Sequence, residues 1–289
     1  LLNGCFNRDI SVAVVNARIS DRSWPRYRTL HGLWKPFLSR LSLVLAQSEL
    51  DAERLKAIGC APERVHVAGN LKFDMRAASE SEATRELKAR GASLRFVVAG
   101  STLSGEEAAL LLIWPQLLEV DPDLVLILAP RHPERFEAVA ATLADSGEAW
   151  ELRSAWKGEP VHELRAGQVV LLDTIGELAS VYSLASVAFV GGSWIPAGGH
   201  NPLEPAQFGV PVVMGPSYEN FRAIVMDLRA HEAIRITKEG GLATALAGLL
   251  QDRVEAKKMG QRAREIFERQ SGATARSVEA IRTLLKESA

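Results

Sequence analysis

Cysteine is scarce in this sequence, which has only two cysteines in 289 residues. Cys5 and Cys60 lie far apart, and neither belongs to a CxxC pair or has a histidine at ligand spacing. The sequence therefore indicates neither a disulfide framework nor a zinc site. This use of cysteine fits a reducing, cytosolic compartment.

Long apolar runs and an excess of one charge are also missing. No uninterrupted apolar run reaches the roughly 18 to 20 residues of a membrane-spanning helix, and the best candidate, residues 110–118, contains Pro115. Lys and Arg number 34 against 35 Asp and Glu, for a net charge of -1. No overall basic field exists to hold a nucleic acid or an anionic bilayer, so a charged partner must be bound at a local site.

What is present is a globular composition, with 47% hydrophobic and 24% charged residues, which excludes disorder, collagen and a coiled coil. Short β-branched runs alternate with helical stretches, and this pattern predicts an α/β fold with parallel sheets. The predicted strands are 12–16, 41–46, 65–68, 96–100, 124–129, 169–172, 187–191 and 210–214. The predicted helices are 49–58, 82–90, 105–119, 133–146 and 221–228, followed by a helical region over 242–286 with breaks near Asp252 and Gly272.

The length predicts two domains, and a shift to polar composition at residues 77–82 places the linker between Asn70 and Arg85. Residues 1–76 supply about three strands and are expected to be the C-terminal part of an incomplete Rossmann-like domain. Residues 77–270 contain enough strands for a complete doubly wound, Rossmann-like domain. Residues 271–289 are predicted to be a C-terminal helix that can cross back to the first domain.

Ligands of open parallel sheets bind outside the carboxyl ends of the strands, so the loops that leave the strands are candidate sites. The first loop is Gly100-Ser101-Thr102-Leu103-Ser104-Gly105-Glu106, whose amides can bind an anion or whose Ser104 can simply cap the next helix. In the second loop, Arg131 lies between Pro130 and Pro133. Its guanidinium can be preorganised for a phosphate, and the alternative is a solvated loop arginine.

The third loop is Asp173-Thr174-Ile175-Gly176-Glu177. Gly176 permits close approach to a flat ring, and Glu177 can accept hydrogen bonds from hydroxyl or amino groups. A plain helix start is the alternative for this loop.

The fourth loop, Gly198-Gly199-His200-Asn201-Pro202-Leu203-Glu204-Pro205, follows a strand that ends at Gly191-Gly192-Ser193. As a helix cap it would have Asn201 at N-cap, Pro202 at N1 and Glu204 at N3 reaching back. A cap leaves the paired glycines and His200 unexplained. Glycines before a helix N-terminus let a charged ligand approach, and a carboxylate in the first turn suits a ribose diol. We therefore favour a binding site over a cap.

Several common motifs are absent, namely GxxxxGK[ST], HExxH, GxSxG and GxGxxG. P-loop hydrolysis, zinc proteolysis, α/β-hydrolase chemistry and dinucleotide binding thus lack their signatures. Phosphate and ribose recognition without a dinucleotide motif, spread over two sheets, favours a nucleotide-sugar enzyme.

The fourth loop, together with Val190-Gly191-Gly192-Ser193, resembles the 3-deoxy-D-manno-octulosonic acid (Kdo) transferases of lipopolysaccharide synthesis. Three further stretches agree in order and extend the resemblance over nearly all of the chain. They are Asn16-Ala17-Arg18-Ile19-Ser20, similar to the strand exit of the family's first domain, Gly69-Asn70-Leu71-Lys72-Phe73-Asp74, similar to its hinge motif, and Pro130-Arg131-His132-Pro133-Glu134-Arg135, similar to its nucleotide loop.

The resemblance implies a GT-B fold of two Rossmann-like domains and inverting transfer of Kdo from CMP-Kdo to a lipid A precursor. It implies no metal and no cofactor besides this donor substrate, and no nucleic-acid partner. It implies that Lys72 stabilises the transition state, although a surface lysine is what the residues alone suggest. The residues that would line the CMP site are Pro130, Arg131, Ile175, Gly176, Glu177, Asn201, Pro202, Leu203 and Glu204.

Two features depart from the family pattern. Leu103 stands where the family usually has a histidine, and no segment matches the glycine-rich stretch with the general-base glutamate. The opening residues resemble the tail of a helix, so we expect that base and a membrane anchor upstream of Leu1. The whole enzyme is expected at the cytoplasmic face of the bacterial inner membrane, and this chain alone is expected to be soluble and inactive. The alternatives are another nucleotide-sugar GT-B transferase, a 2-epimerase, or a nucleotide-binding module without turnover.

Overall fold

The computed structural model describes residues 2–74, 79–156, 162–238 and 240–287. Its contacts divide the chain into two compact units. Unit 1 comprises Leu1–Met75 and Glu268–Ala289, and unit 2 comprises Arg76–Phe267. The predicted boundary between residues 76 and 77 lies outside the described residues.

The elements of both units are numbered in chain order. The strands are β1 (Ala13–Ala17), β2 (Leu43–Ala46), β3 (Val65–Val67), β4 (Arg95–Thr102), β5 (Leu124–Pro130), β6 (Trp150–Leu152), β7 (Val169–Leu171), β8 (Ala185–Val190), β9 (Val212–Met214) and β10 (Arg235–Ile236). The α-helices are α1 (Leu2–Phe6), α2 (Trp24–Thr29), α3 (His31–Leu38), α4 (Glu49–Ala57), α5 (Glu82–Arg90), α6 (Glu106–Val120), α7 (Phe136–Ser146), α8 (Leu178–Val181), α9 (Leu203–Ala206), α10 (Arg222–Ala230), α11 (Leu242–Gln251), α12 (Arg253–Gln270) and α13 (Ala273–Glu287). Short 3₁₀ turns cover Pro62–Arg64, Leu71–Asp74, Pro133–Arg135, Arg153–Trp156, Tyr182–Leu184 and Glu219–Phe221.

Unit 1 is built on a parallel sheet with strand order β1-β2-β3. Successive side chains of a strand point to opposite faces, and β2 is buried on both. On one face, Val44 and Ala46 join a core that includes Leu55 of α4. On the other face, Leu43 and Leu45 pack with side chains of α13. The last helix of the chain thus covers one face of this sheet.

Unit 2 contains a seven-stranded parallel sheet with strand order β10-β9-β8-β4-β5-β7-β6. The central strands alternate between two buried faces. Val97 and Ala99 contribute to a core with α6, whereas Phe96 and Val98 contribute to a core with α5. Helices on both faces of a parallel sheet give the doubly wound α/β arrangement that the sequence predicts.

All eight predicted strands and the predicted long helices are present, with small shifts at their ends. The breaks predicted near Asp252 and Gly272 separate α11, α12 and α13. Two strands were not predicted, namely β6, which contains no β-branched residue, and β10, which has only two residues. Among the described helices, none combines the length and the apolar character needed to cross a bilayer.

The motif Gly69-Asn70-Leu71-Lys72-Phe73-Asp74 anchors the start of α13. The Asp74 carboxylate accepts hydrogen bonds from the amides of Gly272 and Thr274, the latter at 2.6 Å. Burial raises the pKa of Asp74, but the hydrogen bonds from Thr274 and Gly272 and the charge of Arg276 lower it more, so this pKa lies below its usual value. Arg276 also donates to the Ala68 carbonyl at 2.8 Å. The Asp74 carboxylate therefore caps the amino end of α13 from a distant part of the chain, in the way that an N-cap side chain does.

Replacing Asp74 with alanine removes this cap, and we expect a loss of about 0.5 to 2 kcal/mol in the free energy of unfolding at neutral pH. Because the folded state lowers the pKa of Asp74, its contribution is complete above the unfolded pKa of about 3.9 and is lost as pH falls through the folded value. Denaturant unfolding at several pH values measures both effects. Glu279→Ala, an exposed change on the same helix, is the control, and equal stability of the two variants at pH 7 would contradict the capping role.

Candidate functional site

The four predicted loops meet at one edge of the unit 2 sheet. They follow β4, β5, β7 and β8, which are neighbours in the order β8-β4-β5-β7. Since these strands are parallel, their carboxyl ends lie together. Backbone hydrogen bonds continue past the ends of β8 and β5. The Gly191 amide donates to the Gly100 carbonyl at 2.9 Å, and the Arg131 amide donates to the Thr102 carbonyl at 3.0 Å. The fold therefore brings the four loops together at one edge of the sheet.

The loop after β4 does not cap the next helix as one interpretation of the sequence proposed, and one of its amides is already used. Gly105 is the N-cap of α6, with φ of 95° and no side-chain capping bond, so Ser104 does not cap this helix. The Leu103 amide is not free for an anion, because it donates to the Glu106 carboxylate at 2.8 Å. Just before this loop, near the end of β4, Ser101 has a positive φ of 56° and is buried. A strained non-glycine residue is a common feature of functional loops.

Glu106 lies at the centre of this edge with only 1% of its surface exposed. Besides Leu103, its carboxylate accepts hydrogen bonds from the amides of Gly192 at 2.7 Å, Ser193 at 3.0 Å and Trp194 at 2.9 Å. One side chain thus joins the loop after β4 to the turn after β8.

The loop after β5 is fixed by an ion pair between Glu107 and Arg135. Both terminal nitrogens of Arg135 donate to the Glu107 carboxylate, at 2.7 and 2.9 Å, and Thr102 donates to it at 2.6 Å. Glu107 is 3% exposed, and its hydrogen bonds are the main reason that the pKa of Arg135 is raised. A bidentate pair of this kind is strong and directional. It holds the segment that carries Arg131, whose own side chain is exposed.

The second and fourth loops contribute an electrostatic cluster of three residues, Arg131, His200 and Glu204. Burial, and then the charges of Arg131 and His132, lower the pKa of His200 to about 4. His200 is therefore neutral at pH 7, and its buried Nε2 has no hydrogen-bond partner among the described residues. Burial raises the pKa of Glu204, while Arg131 and a hydrogen bond with Asn201 oppose that shift. The cluster can offer both a guanidinium and a carboxylate to one ligand.

The loop after β8 begins its helix one residue later than predicted. The N-cap of α9 is Pro202 rather than Asn201, and Leu203 is the first helical residue. The Asn201 side chain still accepts a hydrogen bond from the Leu203 amide at 3.1 Å. The same side chain forms a hydrogen bond with Glu204 of the electrostatic cluster. Pro202 and Leu203 are buried, and their role at the CMP site stays a prediction. Glu204 lies at the second helical position, and its carboxylate forms a hydrogen bond with the Asn201 side chain. The N-cap residue, Pro202, has no backbone N–H that Glu204 could cap.

Internal packing explains part of the glycine content of this edge. A Cβ on Gly192, which has φ of 62°, would lie 2.7 Å from the His200 ring. A Cβ on Gly199, which has φ of 71°, would lie 2.8 Å from the Ser217 carbonyl oxygen. The absence of these side chains lets the loops of the protein approach one another, whether or not a ligand is bound.

The loop after β7 is the helix start that the sequence left as an alternative, because Glu177 is the N-cap residue of α8. Its carboxylate accepts from the Ala83 amide at 2.9 Å and from the Thr174 hydroxyl, and it lies 3.5 Å from the buried Arg153 guanidinium. These contacts occupy the carboxylate with structural partners. Ile175, by contrast, is 80% exposed, and the space around Gly176 is open. A ligand role for these three residues stays a prediction.

Lys72 lies in unit 1, in the 3₁₀ turn Leu71–Asp74. Its amide donates to Asn70 at 3.0 Å, and its side chain is exposed. No group of three or more potential metal ligands occurs within the described ranges.

Comparison with known proteins decides the family. Residues 1–75 match the family model described as 3-deoxy-D-manno-octulosonic-acid transferase (kdotransferase). The chain is 32% identical over 297 residues to the Kdo transferase of Haemophilus influenzae, covering 99% of this chain and 67% of that protein. The chain belongs to the Kdo transferase family. It is also 34% identical over 286 residues to the Kdo transferase of Bordetella pertussis, covering 97% of this chain but only 65% of that protein.

Solved structures extend the comparison to the fold. The C-terminal CMP-Kdo binding domain of WaaA from Acinetobacter baumannii matches with a TM-score of 0.58 and 32% identity, covering 64% of this chain and 95% of that chain. UDP-GlcNAc 2-epimerase from Neisseria meningitidis, bound to UDP-GlcNAc, matches with a TM-score of 0.54 and 14% identity, covering 98% of this chain and 72% of that chain. The second likeness concerns the fold alone. Together they confirm the GT-B class predicted for this Kdo transferase family member.

Sequence reasoning missed several residues that shape the site. Glu106 and Glu107 hold three loops, Arg135 completes an ion pair, Arg153 contacts Glu177, and the buried Tyr182 has its pKa raised by burial and by Glu204. A signal for the first two was available. Two adjacent glutamates open a helix that is otherwise strongly apolar, and such residues are seldom buried unless they are paired.

The low pKa of His200 gives a direct test of the cluster. In an NMR titration its ring resonances should shift with a midpoint near pH 4. Because the folded state lowers this pKa below its ordinary value of 6.5, the protein should lose stability as pH falls from about 6.5 towards 4. Arg131→Gln removes one repulsive charge and should raise the midpoint, which should stay below 6.5 because burial is the larger cause. A midpoint at or above 6.5 in the unaltered chain would contradict the structure.

Proposed function

We propose that unit 2 binds CMP-Kdo and that the protein transfers Kdo to a lipid A precursor with inversion at the donor carbon. The observation that carries this proposal is that the loops bearing Arg131, His200 and Glu204 meet at the carboxyl edge of the unit 2 sheet. It is supported by the 32% identity to a domain described as the CMP-Kdo binding domain of WaaA.

Arg131 would bind the phosphate of the donor. The Arg131 backbone is fixed because its amide donates a hydrogen bond to the Thr102 carbonyl. The nearby ion pair between Arg135 and Glu107 holds the same segment. Its guanidinium is exposed and makes no hydrogen bond to another side chain or carbonyl in the described residues. A planar fork of donors on a fixed backbone suits a phosphate.

Glu204 would hold the ribose hydroxyls, because a carboxylate oxygen accepts a hydrogen bond from each of two adjacent hydroxyls. Arg131 and Asn201 both favour its charged form against the cost of burial. The neutral His200 would add no positive charge, and its orphan Nε2 can accept or donate one hydrogen bond to the donor.

Transfer requires a bond to form between the acceptor hydroxyl oxygen and the donor carbon of Kdo. A base takes the hydroxyl proton, the bond from that carbon to the phosphate oxygen breaks, and CMP leaves with the bonding electron pair. Lys72 would neutralise the charge that develops on this phosphate without needing a metal. One direct displacement inverts the configuration at the donor carbon.

The surface of unit 1 supports an anionic, amphipathic acceptor such as a lipid A precursor. Residues 22–48 contain five Lys and Arg residues and no Asp or Glu. An open cavity of about 430 Å³ is lined by Arg22, Arg26, Tyr27 and Trp34, among others. On α3, Leu33 is 65% exposed. Cations beside exposed apolar side chains suit a phosphorylated lipid at the cytoplasmic face of a membrane.

Glu204→Gln tests the nucleotide site. The chain should bind CMP more tightly than UMP, and the variant should weaken CMP binding by about 1.5 to 3 kcal/mol through loss of a charge-assisted hydrogen bond. Isothermal titration calorimetry measures both quantities. Glu265→Gln, an exposed change on α12 of the same unit, serves as the control and should bind like the unaltered chain. Equal affinity for CMP and UMP would overturn the cytidine assignment, and unchanged CMP affinity in Glu204→Gln would show that Glu204 does not hold the ribose.

Lys72→Ala tests the proposed transition-state role. In a preparation that transfers Kdo from CMP-Kdo, the variant should lower kcat by at least about tenfold, which corresponds to about 1.4 kcal/mol of transition-state stabilisation. Its CMP affinity should stay within about twofold of the unaltered protein, because the proposed interaction develops only as CMP leaves. A variant whose CMP affinity and kcat fall by the same factor would instead show that Lys72 binds the ground state.

A further inference from the structure

The turn after β8 has the form of an anion-binding site, but a side chain of the protein already fills it. Three consecutive amides, those of Gly192, Ser193 and Trp194, point at the Glu106 carboxylate at 2.7 to 3.0 Å. Successive backbone amides that converge in a turn form a concavity that binds anions such as phosphate. With Leu103 added, Glu106 receives four backbone hydrogen bonds. All the acceptor capacity of one carboxylate is thus spent on the backbone.

The surroundings of Glu106 leave no space for a second anion. The side chain is 1% exposed, and a Cβ on Gly191 would lie 2.8 Å from its Oε2 and 2.5 Å from the Ser101 carbonyl oxygen. The donor phosphate must therefore be bound elsewhere on this edge, at Arg131 for example, and the turn must have another task.

That task follows from the bonds that leave the turn. The Gly199 amide donates to the Gly192 carbonyl at 2.7 Å, and the His200 amide donates to the Gly191 carbonyl at 3.1 Å. These two hydrogen bonds fix the position of the next segment relative to the turn. That segment carries His200, Asn201 and Glu204. A shift of the turn would move all three side chains together.

We propose that Glu106 is a positioning residue for the donor nucleotide: its carboxylate substitutes for an anion in the turn after β8 and so fixes the segment that carries His200 and Glu204. The inference rests on the proposed function for the identity of the ligand. The hold of Glu106 on the turn can be tested separately from that identity.

The variant Glu106→Gln keeps the volume of the side chain but replaces one acceptor oxygen with an NH₂ donor, which faces backbone amides. We expect CMP to bind about 10 to 100-fold more weakly, the range typical of losing a residue that orients the ligands of a metal site. Adding CMP to the variant should shift the melting temperature less than it does for the unaltered chain.

Asp121→Asn is the matched control. Asp121 is also a buried carboxylate of unit 2, and it accepts hydrogen bonds from the Asp123 amide at 3.2 Å and from Arg95. It lies at the amino ends of β4 and β5, at the opposite edge of the sheet. Asp121→Asn should lower thermal stability but leave CMP affinity within about twofold, so a general loss of stability is separated from a loss of positioning.

A second measurement uses the unaltered chain, so it does not depend on how the variant folds. Hydrogen exchange of the amides of Gly192, Ser193 and Trp194 should be slow before any CMP is added. Amides that exchange freely until CMP is present would show that a ligand phosphate, not Glu106, fills the turn, and would overturn the inference. So would a folded Glu106→Gln variant that binds CMP as tightly as the unaltered chain. An unaltered chain that binds no CMP would refute the proposed function, while slow exchange in the turn would still support the hold of Glu106.

Discussion

Two buried carboxylates at the start of α6 hold the candidate site together. Glu106 joins the loop after β4 to the turn after β8, and Glu107 joins Thr102 to Arg135 in the loop after β5. Each has every neighbour that a buried charge requires, either a bidentate arginine or several backbone amides. Loops normally vary in conformation, so these two side chains explain how three of them keep one geometry at the edge of the sheet.

The three residues of the electrostatic cluster provide charges of opposite sign at this edge. Arg131 is exposed, Glu204 is largely buried, and His200 is held neutral by burial and by Arg131. A site of this kind does not attract every anion, because its cation has a carboxylate close by. It suits a ligand that brings both a phosphate and hydroxyl groups, which is the chemistry of a nucleotide. In a chain whose net charge is -1, such local complementarity has to supply the recognition.

The sequence correctly predicted the features of the fold that follow from hydrophobic periodicity and from the parallel arrangement of strands. Apolar runs located the central strands, and the parallel arrangement placed four loops at one edge. It failed where short contacts decide. β6 has no β-branched residue and β10 has only two residues, so neither carries a strand pattern. The helix α9 starts at Leu203 rather than Pro202, and the Glu177 carboxylate is used by the Ala83 amide and Arg153. The paired glutamates at the start of the apolar α6 indicated buried, partnered carboxylates, but not the partners: three amides that bind Glu106 lie 86 to 88 residues away, and no local pattern identifies them.

A crystal structure of the chain with CMP tests the central claim most directly, namely that the carboxyl edge of the unit 2 sheet is the nucleotide site. The account predicts the phosphate beside the Arg131 guanidinium, the ribose hydroxyls within hydrogen-bond distance of Glu204, and the Glu106 carboxylate still bonded to the turn after β8. A CMP molecule bound at the amino edge of the sheet, or a phosphate that displaces Glu106 from its amides, would contradict it.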